Sequence, residues 1–184
     1  MNVVYITGYK PFELGIFDNK HEGIRYIVKA IKQRLVPLIE QGTEWVIISG
    51  QLGVELWAGE VAIELKKEFS QLKLGVLTPY LEQEKSWNEL NKEFYDSILS
   101  NADYVDSISK KEYEGPWQLR AKNVFLVHKS DGMIIVYDHE REGSPKYAME
   151  EARKYAESND YPIMAITFDD LQQAVESEAE EWQD

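Results

Sequence analysis

WVIISGQLGVELW, residues 45–57, joins an apolar run to a helical pattern through a turn that contains two glycines. Trp45 to Ser49 is the apolar run, which is typical of a strand buried on both faces of a parallel sheet. Gly50 and Gly53 favour a tight turn, because glycine adopts backbone conformations that other residues avoid. Val54 to Phe69 repeats apolar residues at helical spacing. The segment therefore predicts a strand, a glycine turn and a helix, which is the first part of a βαβ unit.

The same alternation of strands and helices continues along the whole chain. Other apolar runs predict strands at 3–7, 73–78, 104–108, 132–137 and 163–167. Apolar repeats of 3.6 residues predict helices at 22–41, 87–98, 117–128, 145–157 and 168–179. Pro37 lies inside the first helical pattern and predicts a kink or an early end there. The pattern indicates an α/β fold: a Rossmann-like, doubly wound, mainly parallel sheet flanked by helices, in a single domain of residues 1–184.

Composition excludes several kinds of site and location. The chain has 184 residues, 43% of them hydrophobic, which suits one buried core. It has no cysteine, so disulfides, thiolate metal sites and a cysteine nucleophile are excluded. The apolar run at residues 3–6 is too short for a signal peptide or a membrane span, so we expect a cytoplasmic protein without membrane contact. His21, His128 and His139 lack the spacing of metal ligands, so we expect no metal site.

The chain is strongly acidic. Its 33 acidic and 20 basic residues give a formal net charge of −13. Residues 177–184 are rich in carboxylates and contain no basic residue, and we expect them to form an acidic tail that frays from the last helix. This charge repels polyanions, so we do not expect nucleic-acid binding. A small anionic ligand remains allowed, because backbone N–H groups and one or two cations outweigh a distant, screened charge.

Two glycine-bearing loops follow predicted strands at the edge where parallel sheets bind ligands. In the turn at residues 49–55, the glycines let a ligand approach the backbone, and the helix start offers free N–H groups to a phosphate. The alternative is that Gly50 and Gly53 only permit the turn. Gly143 to Lys146 is a helix start with Ser144 at the cap. This helix start would also suit an anion, and the alternative is that it is purely structural.

Two further segments are candidates for the same edge. Residues 7–17 form a long and apolar connection between a strand and a helix, which suits a lid, a contact between copies or simple packing. On the helix at 117–128, Arg120 and Asn123 are three residues apart and face the same way, towards a ligand or towards solvent. Lys122 is predicted to point elsewhere.

Four blocks of sequence resemble the YpsA-like family of bacterial proteins, which is placed in the SLOG superfamily of Rossmann-like folds. The blocks are residues 7–15, 48–57, 129–132 and 143–147, and together they span nearly the whole chain. That superfamily includes LOG-type phosphoribohydrolases and the DNA-processing protein A. The resemblance implies a bacterial cytoplasmic protein that binds a nucleotide-like ligand, and we expect no required cofactor.

The resemblance places Gly53 and Glu55 in the ligand pocket, with other loop residues around them. Combined with the loop analysis, it gives a full set of predicted ligand-binding residues: Thr7, Gly8, Tyr9, Lys10, Ser49, Gly50, Gln51, Gly53, Glu55, Arg120, Asn123, Asp131, Asp138, Gly143, Ser144 and Lys146.

Three hypotheses about function follow. LOG-type enzymes carry a late glycine-rich motif that ends in a glutamate acting on the ribosyl bond, and Tyr147 stands in that position here. The resemblance therefore favours a non-catalytic sensor or regulatory protein with a nucleotide-type ligand. The alternative enzyme is a nucleotide phosphoribohydrolase or a related glycosidase with Glu55 as its catalytic carboxylate. The third hypothesis is an adaptor that binds another protein or a second copy through Phe12, Phe17 and Trp117.

Overall fold

The structure, a computed structural model, describes residues 1–183. Its strands are β1 (Val3–Gly8), β2 (Trp45–Ile48), β3 (Lys73–Thr78), β4 (Tyr104–Ser107), β5 (Gly132–Val136) and β6 (Ile163–Ile166). Its α-helices are α1 (Glu22–Glu40), α2 (Val54–Leu65), α3 (Glu89–Ser100), α4 (Trp117–His128), α5 (Pro145–Ala156) and α6 (Phe168–Glu181). A short 3-10 helix, Pro11–Leu14, lies in the connection between β1 and α1.

The six strands are parallel and form one sheet in the order β4-β3-β2-β1-β5-β6. The predicted Rossmann-like α/β fold is confirmed. β1 pairs with β2 on one side and with β5 on the other, so the chain reverses its direction across the sheet at β1. Ligands of doubly wound sheets bind beyond the carboxyl ends of the strands, next to such a reversal.

Helices cover the two faces of the sheet unequally. α1 contacts α2 and α6, and α2 contacts α3, so these four helices line one face. α4 and α5 pack against each other on the opposite face. Right-handed connections require this division, because the chain returns across the sheet between β4 and β5.

α1 shows how the sequence forms these elements. Its buried apolar side chains recur at helical spacing: Ile27, Ala30, Ile31, Leu35 and Ile39. Burial of each large side chain of this kind stabilises the fold by about 1.5–3 kcal/mol. The helix runs through Pro37 to Glu40, so of the two outcomes predicted there, a kink or an early end, the early end is wrong. Pro37 removes one backbone donor, but the buried Leu35 and Ile39 hold the last turn against the sheet.

The last helix is longer than the sequence predicts. α6 continues to Glu181 instead of fraying from residue 177. An ion pair of 2.7 Å between Arg25 and Glu178 ties its second half to α1. Asp184, the final residue of the predicted tail, lies outside the described residues. Among the helices up to residue 183, none has the length and apolarity of a bilayer span.

Candidate ligand site at the carboxyl edge of the sheet

The turn between β2 and α2 is built tightly against the loop that follows β1. Gly53 has a φ of +94°, and a Cβ atom there would lie 2.5 Å from the carbonyl oxygen of Tyr9. The amide of Val54 donates to the same oxygen at 3.1 Å. Gly50 also has a positive φ, +80°. A Cβ on Gly8 would lie 2.8 Å from the Val54 side chain. The geometry of the turn therefore already requires glycine at these positions.

Glu55 lies at the start of α2 and connects the ends of β1 and β2. Its side chain is buried, with 2% exposed. One carboxylate oxygen accepts hydrogen bonds from the amide and hydroxyl of Ser49 at 2.5 and 2.8 Å, and the other accepts from the hydroxyl of Thr7 at 3.0 Å. Because a carboxylate has about four acceptor positions, roughly one remains for a ligand. The structure thus brings Thr7, Ser49 and Glu55 together, with the carboxylate directed mainly at the protein itself.

Two lysines lie near Glu55 without forming a salt bridge. Lys122 on α4 is half-buried, and burial lowers the pKa of its ammonium group. The charge of Glu55 opposes this shift and the charge of Lys10 adds to it, so all three groups lie within electrostatic range. Within residues 1–183, neither Lys10 nor Lys122 has an acidic partner within ion-pair distance. Glu55 and the two lysines therefore influence one another electrostatically without direct contact.

The structure places Arg120 and Asn123 on different sides of α4 and turns Lys122 inward. Arg120, predicted to face a ligand or solvent, is exposed, whereas Lys122, predicted to point elsewhere, lies on the inner side. Lys122 is four residues from both Gln118 and Leu126, and each of these is 0% exposed. Residues four apart share one side of a helix, so Lys122 belongs to the buried stripe.

Two buried polar atoms on β1 and α4 are left unpaired by the described residues. Asn123, a predicted site residue on α4, is 9% exposed, and its Oδ1 has no hydrogen-bond partner. The hydroxyl of Tyr5 on β1 is also unpaired and fully buried. Burial, and secondarily the charge of Glu55, raises the pKa of Tyr5. An unpaired buried polar atom costs about 1–3 kcal/mol, so the polar interior here is incompletely satisfied.

A cleft of about 300 Å³ opens between the loop after β1, the turn at 50–53 and the segment after β3. Two predicted site residues, Lys10 and Gln51, line it. Its other walls come from residues that the sequence does not single out as ligand-binding: Pro11, Phe12, Leu52, Tyr80, Gln83, Ser86 and Trp87. Trp87 is predicted to be helical, but α3 begins only at Glu89, after the cap residue Asn88. Tyr80, Gln83, Ser86 and Trp87 could have been identified from the sequence, because they follow the carboxyl end of the strand predicted at 73–78.

The second predicted anion site, at the start of α5, is occupied by the protein's own carboxylate. Glu13 accepts hydrogen bonds from the amide and hydroxyl of Ser144 at 2.6 and 2.7 Å, and from the amide of Lys10 at 2.7 Å. A Cβ on Gly143 would lie 2.7 Å from a carboxylate oxygen of Glu13, so this approach needs a glycine. Lys146 is exposed. A phosphate at this position would have to displace Glu13.

Tyr9 and Asp138 hold the same two loops together. The Tyr9 hydroxyl accepts from the amide of Asp138 at 3.0 Å and donates to the carbonyl of Arg141 at 2.6 Å. The Asp138 carboxylate accepts from the amides of Glu140 and Phe168, and these hydrogen bonds lower the pKa of Asp138. Both predicted site residues therefore bind backbone groups of the protein, and the first part of the 7–17 connection is packed in place.

Asp131 is separated from the other predicted site residues. It precedes β5 and lies at the amino ends of the strands, where its carboxylate accepts from the amides of Asn2 and Val3 at 2.9 and 2.8 Å. The candidate site lies at the opposite edge, so Asp131 ties down the start of the chain instead. Across residues 1–183, no three potential metal-ligand side chains come together.

Comparison with known proteins identifies close relatives. The family model YpsA, whose description reads YspA SLOG family, matches residues 4–171. The UPF0398 proteins of Bacillus cereus and of Bacillus thuringiensis (strain Al Hakam) are each 54% identical to this chain over 178 residues. The match covers 97% of this chain and 97% of each relative.

Among solved structures, a similar fold is found in DNA processing protein A from Helicobacter pylori, with a TM-score of 0.57. That structure was described for its mode of binding single-stranded DNA. At 18% identity the similarity covers 89% of this chain and 64% of that one, so the other protein contains further segments. An identity this low shows the fold alone. The family model and the bacterial relatives show more: this chain belongs to the YpsA family of SLOG proteins.

Proposed function

We propose that this protein binds a small phosphate-bearing ligand of the nucleotide type at the carboxyl edge of the sheet, and that it acts as a sensor. The observation that carries the proposal is the pair of unpaired cations, Lys10 and Lys122, beside Glu55. Many lysines of residues 1–183 lack an acidic partner, but Lys122 stands apart from them because burial lowers its pKa. A bound phosphate would relieve the repulsion between the two ammonium groups and raise the lowered pKa of Lys122.

The start of α2 supports the same kind of ligand. Among the described residues, the amides of Glu55 and Leu56 have no acceptor, as is usual in the first turn of a helix. These amides lie at the positive end of the helix dipole, where an anion is stabilised by about 0.3–1 kcal/mol. Glu55 and Leu56 are only 2% and 0% exposed, so the helix start supports a phosphate through its dipole rather than through direct contact of these amides.

The cleft supports a base and a sugar next to that phosphate. Its volume of about 300 Å³ is at the lower end of the sizes of ligand sites. The rings of Tyr80 and Trp87 offer surfaces for stacking. Gln51 uses its carbonyl oxygen to cap the Leu52 amide, and Gln83 uses its amide nitrogen on the carbonyl of Ser49. A free amide donor on Gln51 and a free acceptor on Gln83 therefore remain for the edge of a base.

The sensor role rests on the position of Phe12. This residue lines the cleft, yet 64% of its side chain is exposed. Occupancy of the cleft would therefore change a surface aromatic group that another protein can contact. The adaptor hypothesis uses the same residue but needs no ligand.

No observation favours the hydrolase. A glycosidic carboxylate must reach the sugar, but Glu55 is 2% exposed and accepts three hydrogen bonds from Ser49 and Thr7. Single-stranded DNA, the ligand of the Helicobacter protein, is also not proposed. Its binding depends on a series of cations along the backbone, and this chain is strongly acidic.

The test is calorimetric titration with nucleoside mono-, di- and triphosphates, with the parent nucleosides as phosphate-free controls. We expect a nucleotide to bind and its nucleoside to bind at least about tenfold more weakly, a difference of about 1.4 kcal/mol. The double variant Lys10→Met/Lys122→Met should lose a similar factor. Lys154→Met, which removes an exposed lysine on α5 outside the cleft, should not. Equal binding by the wild type and the double variant, or no binding of any nucleotide by the wild type, would refute the proposal.

A further inference from the structure

Gln83 follows β3 and lies in the wall of the cleft, where it is only 8% exposed. Its amide nitrogen donates to the carbonyl oxygen of Ser49 at 2.8 Å and to the hydroxyl of Tyr95 at 3.3 Å. These two hydrogen bonds use both hydrogens of the amide. Because a carbonyl oxygen only accepts, the nitrogen must face Ser49, and the amide cannot exchange its nitrogen and oxygen by turning over.

The fixed amide leaves its oxygen for a ligand. Within residues 1–183, Oε1 of Gln83 accepts no hydrogen bond, and it is not one of the fully enclosed unpaired atoms, which belong to Tyr5 and Asn123. The space that this oxygen reaches is the cleft, because Gln83 is part of its wall. A ligand that fills the cleft excludes water from the oxygen, so it must supply a donor or leave a nearly buried acceptor unpaired.

Tyr95 on α3 holds Gln83 and the stacking surface of Trp87 in a set relative position. Its hydroxyl accepts from Gln83, and its ring packs edge-on against the ring of Trp87, with 5.2 Å between the ring centres. Burial raises the pKa of Tyr95 to about 12, so the hydroxyl stays protonated at neutral pH and adds no charge. A Cβ on Gly50 would lie 3.0 Å from both the Gln83 nitrogen and the Tyr95 ring, so the glycine turn leaves just enough room for this arrangement.

An acceptor that cannot become a donor discriminates between bases. Adenine and cytosine carry an exocyclic amino group, which donates hydrogen bonds, whereas their deaminated counterparts hypoxanthine and uracil carry a keto oxygen in the same position, which only accepts. An exocyclic group projects beyond the ring, so it reaches the recessed Oε1 of Gln83 before a ring nitrogen does. A keto oxygen in that place would face a second acceptor, and neither atom would have a hydrogen.

We propose that Gln83 makes the cleft selective for nucleotides whose base carries an exocyclic amino group, adenine or cytosine, over their keto counterparts. The base stacks on Trp87 and donates from its amino group to Oε1 of Gln83. The amide nitrogen of Gln51, whose oxygen is held by the Leu52 amide, donates to the ring nitrogen beside the amino group. This inference rests on the proposed nucleotide site and specifies which ligands that site accepts.

The first experiment compares matched ligands by calorimetric titration of the wild-type protein: adenosine with inosine monophosphate, and cytidine with uridine monophosphate. In any pair that binds, the amino member should bind at least about tenfold more tightly. Purine riboside monophosphate, which has a hydrogen in place of the amino group of adenosine monophosphate, should be about as weak as inosine monophosphate. Equal affinities, or tighter binding of the keto members, would overturn the selectivity and leave the nucleotide site standing. Failure of every nucleotide to bind would refute the proposed site itself and this inference with it.

Gln83→Met tests whether this residue carries the selectivity. The variant lacks the acceptor, so the amino nucleotide should lose most of its advantage while the keto nucleotide binds nearly as before. A purely structural role of Gln83 would weaken both nucleotides alike. Gln173→Met is the matched control, because it changes an exposed glutamine on α6, outside the cleft, and should keep the wild-type ratio. An unchanged ratio in Gln83→Met, or an equal loss for both nucleotides, would overturn the proposal. Circular dichroism checks folding, and if the variant does not fold, the purine riboside comparison decides.

Discussion

The carboxylate of Glu13 accepts hydrogen bonds from both the amide and the hydroxyl of Ser144, although the two residues are 131 positions apart. A helix start with serine at its cap is a common anion site, and here the anion is part of the protein. The contact joins the loop after β1 to the loop after β5, which flank the reversal of the chain across the sheet. It therefore stabilises the loops around the cleft before any ligand binds.

Glu13→Ala should lower the free energy of unfolding by about 1–3 kcal/mol, because it leaves the amide of Ser144 without its acceptor and removes a negative charge from the start of α5. Urea unfolding measures the change. Glu142→Ala is the control, since Glu142 is exposed in the same region and makes no hydrogen bond through its side chain within residues 1–183. If the two variants were equally stable, the contact would contribute nothing measurable.

Gly53→Ala should destabilise the protein more than Gly42→Ala does. Both glycines have a positive φ, +94° and +112°, so both substitutions incur backbone strain of about 1–2 kcal/mol. Only at Gly53 would the added Cβ also collide with the carbonyl oxygen of Tyr9, at 2.5 Å, whereas nothing lies within 4 Å of the corresponding position at Gly42. Thermal unfolding of both variants gives the comparison. Equal losses would mean that the turn can move away from the loop after β1.

Lys122→Met should stabilise the protein in the absence of ligand while weakening nucleotide binding. Burial lowers the pKa of Lys122 in the folded state, so the charged form is disfavoured there. At pH values between this lowered pKa and the ordinary value near 10.4, the unfolded chain binds more protons than the folded protein. The stability of the wild type therefore rises with pH over this range. The variant should lack this rise. Urea unfolding at a series of alkaline pH values distinguishes the two proteins, and a destabilised variant with an unchanged pH slope would contradict the expectation.

Acid should reveal the role of Asp138. The amides of Glu140 and Phe168 lower the pKa of its carboxylate in the folded protein, so its contribution to stability is present above the ordinary pKa of aspartate and is lost as the pH falls through the folded value. Asp138→Asn should therefore flatten the decline in stability between about pH 5 and about pH 3. Asp96→Asn is the control, because the Asp96 side chain makes no hydrogen bond or ion pair within the described residues. Equal slopes for wild type and Asp138→Asn would show that the lowered pKa is absent in solution.

The sequence predicts the fold well because alternating apolar runs and helical repeats are local signals. The turn at Gly50 to Gly53 is likewise visible, since a tight turn needs its glycines wherever the rest of the chain lies. The orientation of α4 is not visible, because apolar residues surround this helix and its periodicity does not distinguish Lys122 from Arg120. The contact of Glu13 with Ser144 is also hidden, since its partners are joined only by the tertiary fold. Asp131 could have been excluded, because it precedes a strand and so lies at the wrong edge.

The long return of the chain from β4 to β5 has a consequence for biosynthesis. Lys10, the glycine turn and Glu55 all belong to the part of the chain that is made first, whereas Lys122 arrives with α4, after β4 is complete. A nascent chain that ends before Trp117 would lack Lys122 and also β5, the strand that pairs with β1 in the middle of the sheet. The carboxyl edge of the sheet, where the candidate site lies, is therefore complete only in chains whose synthesis has passed the crossover.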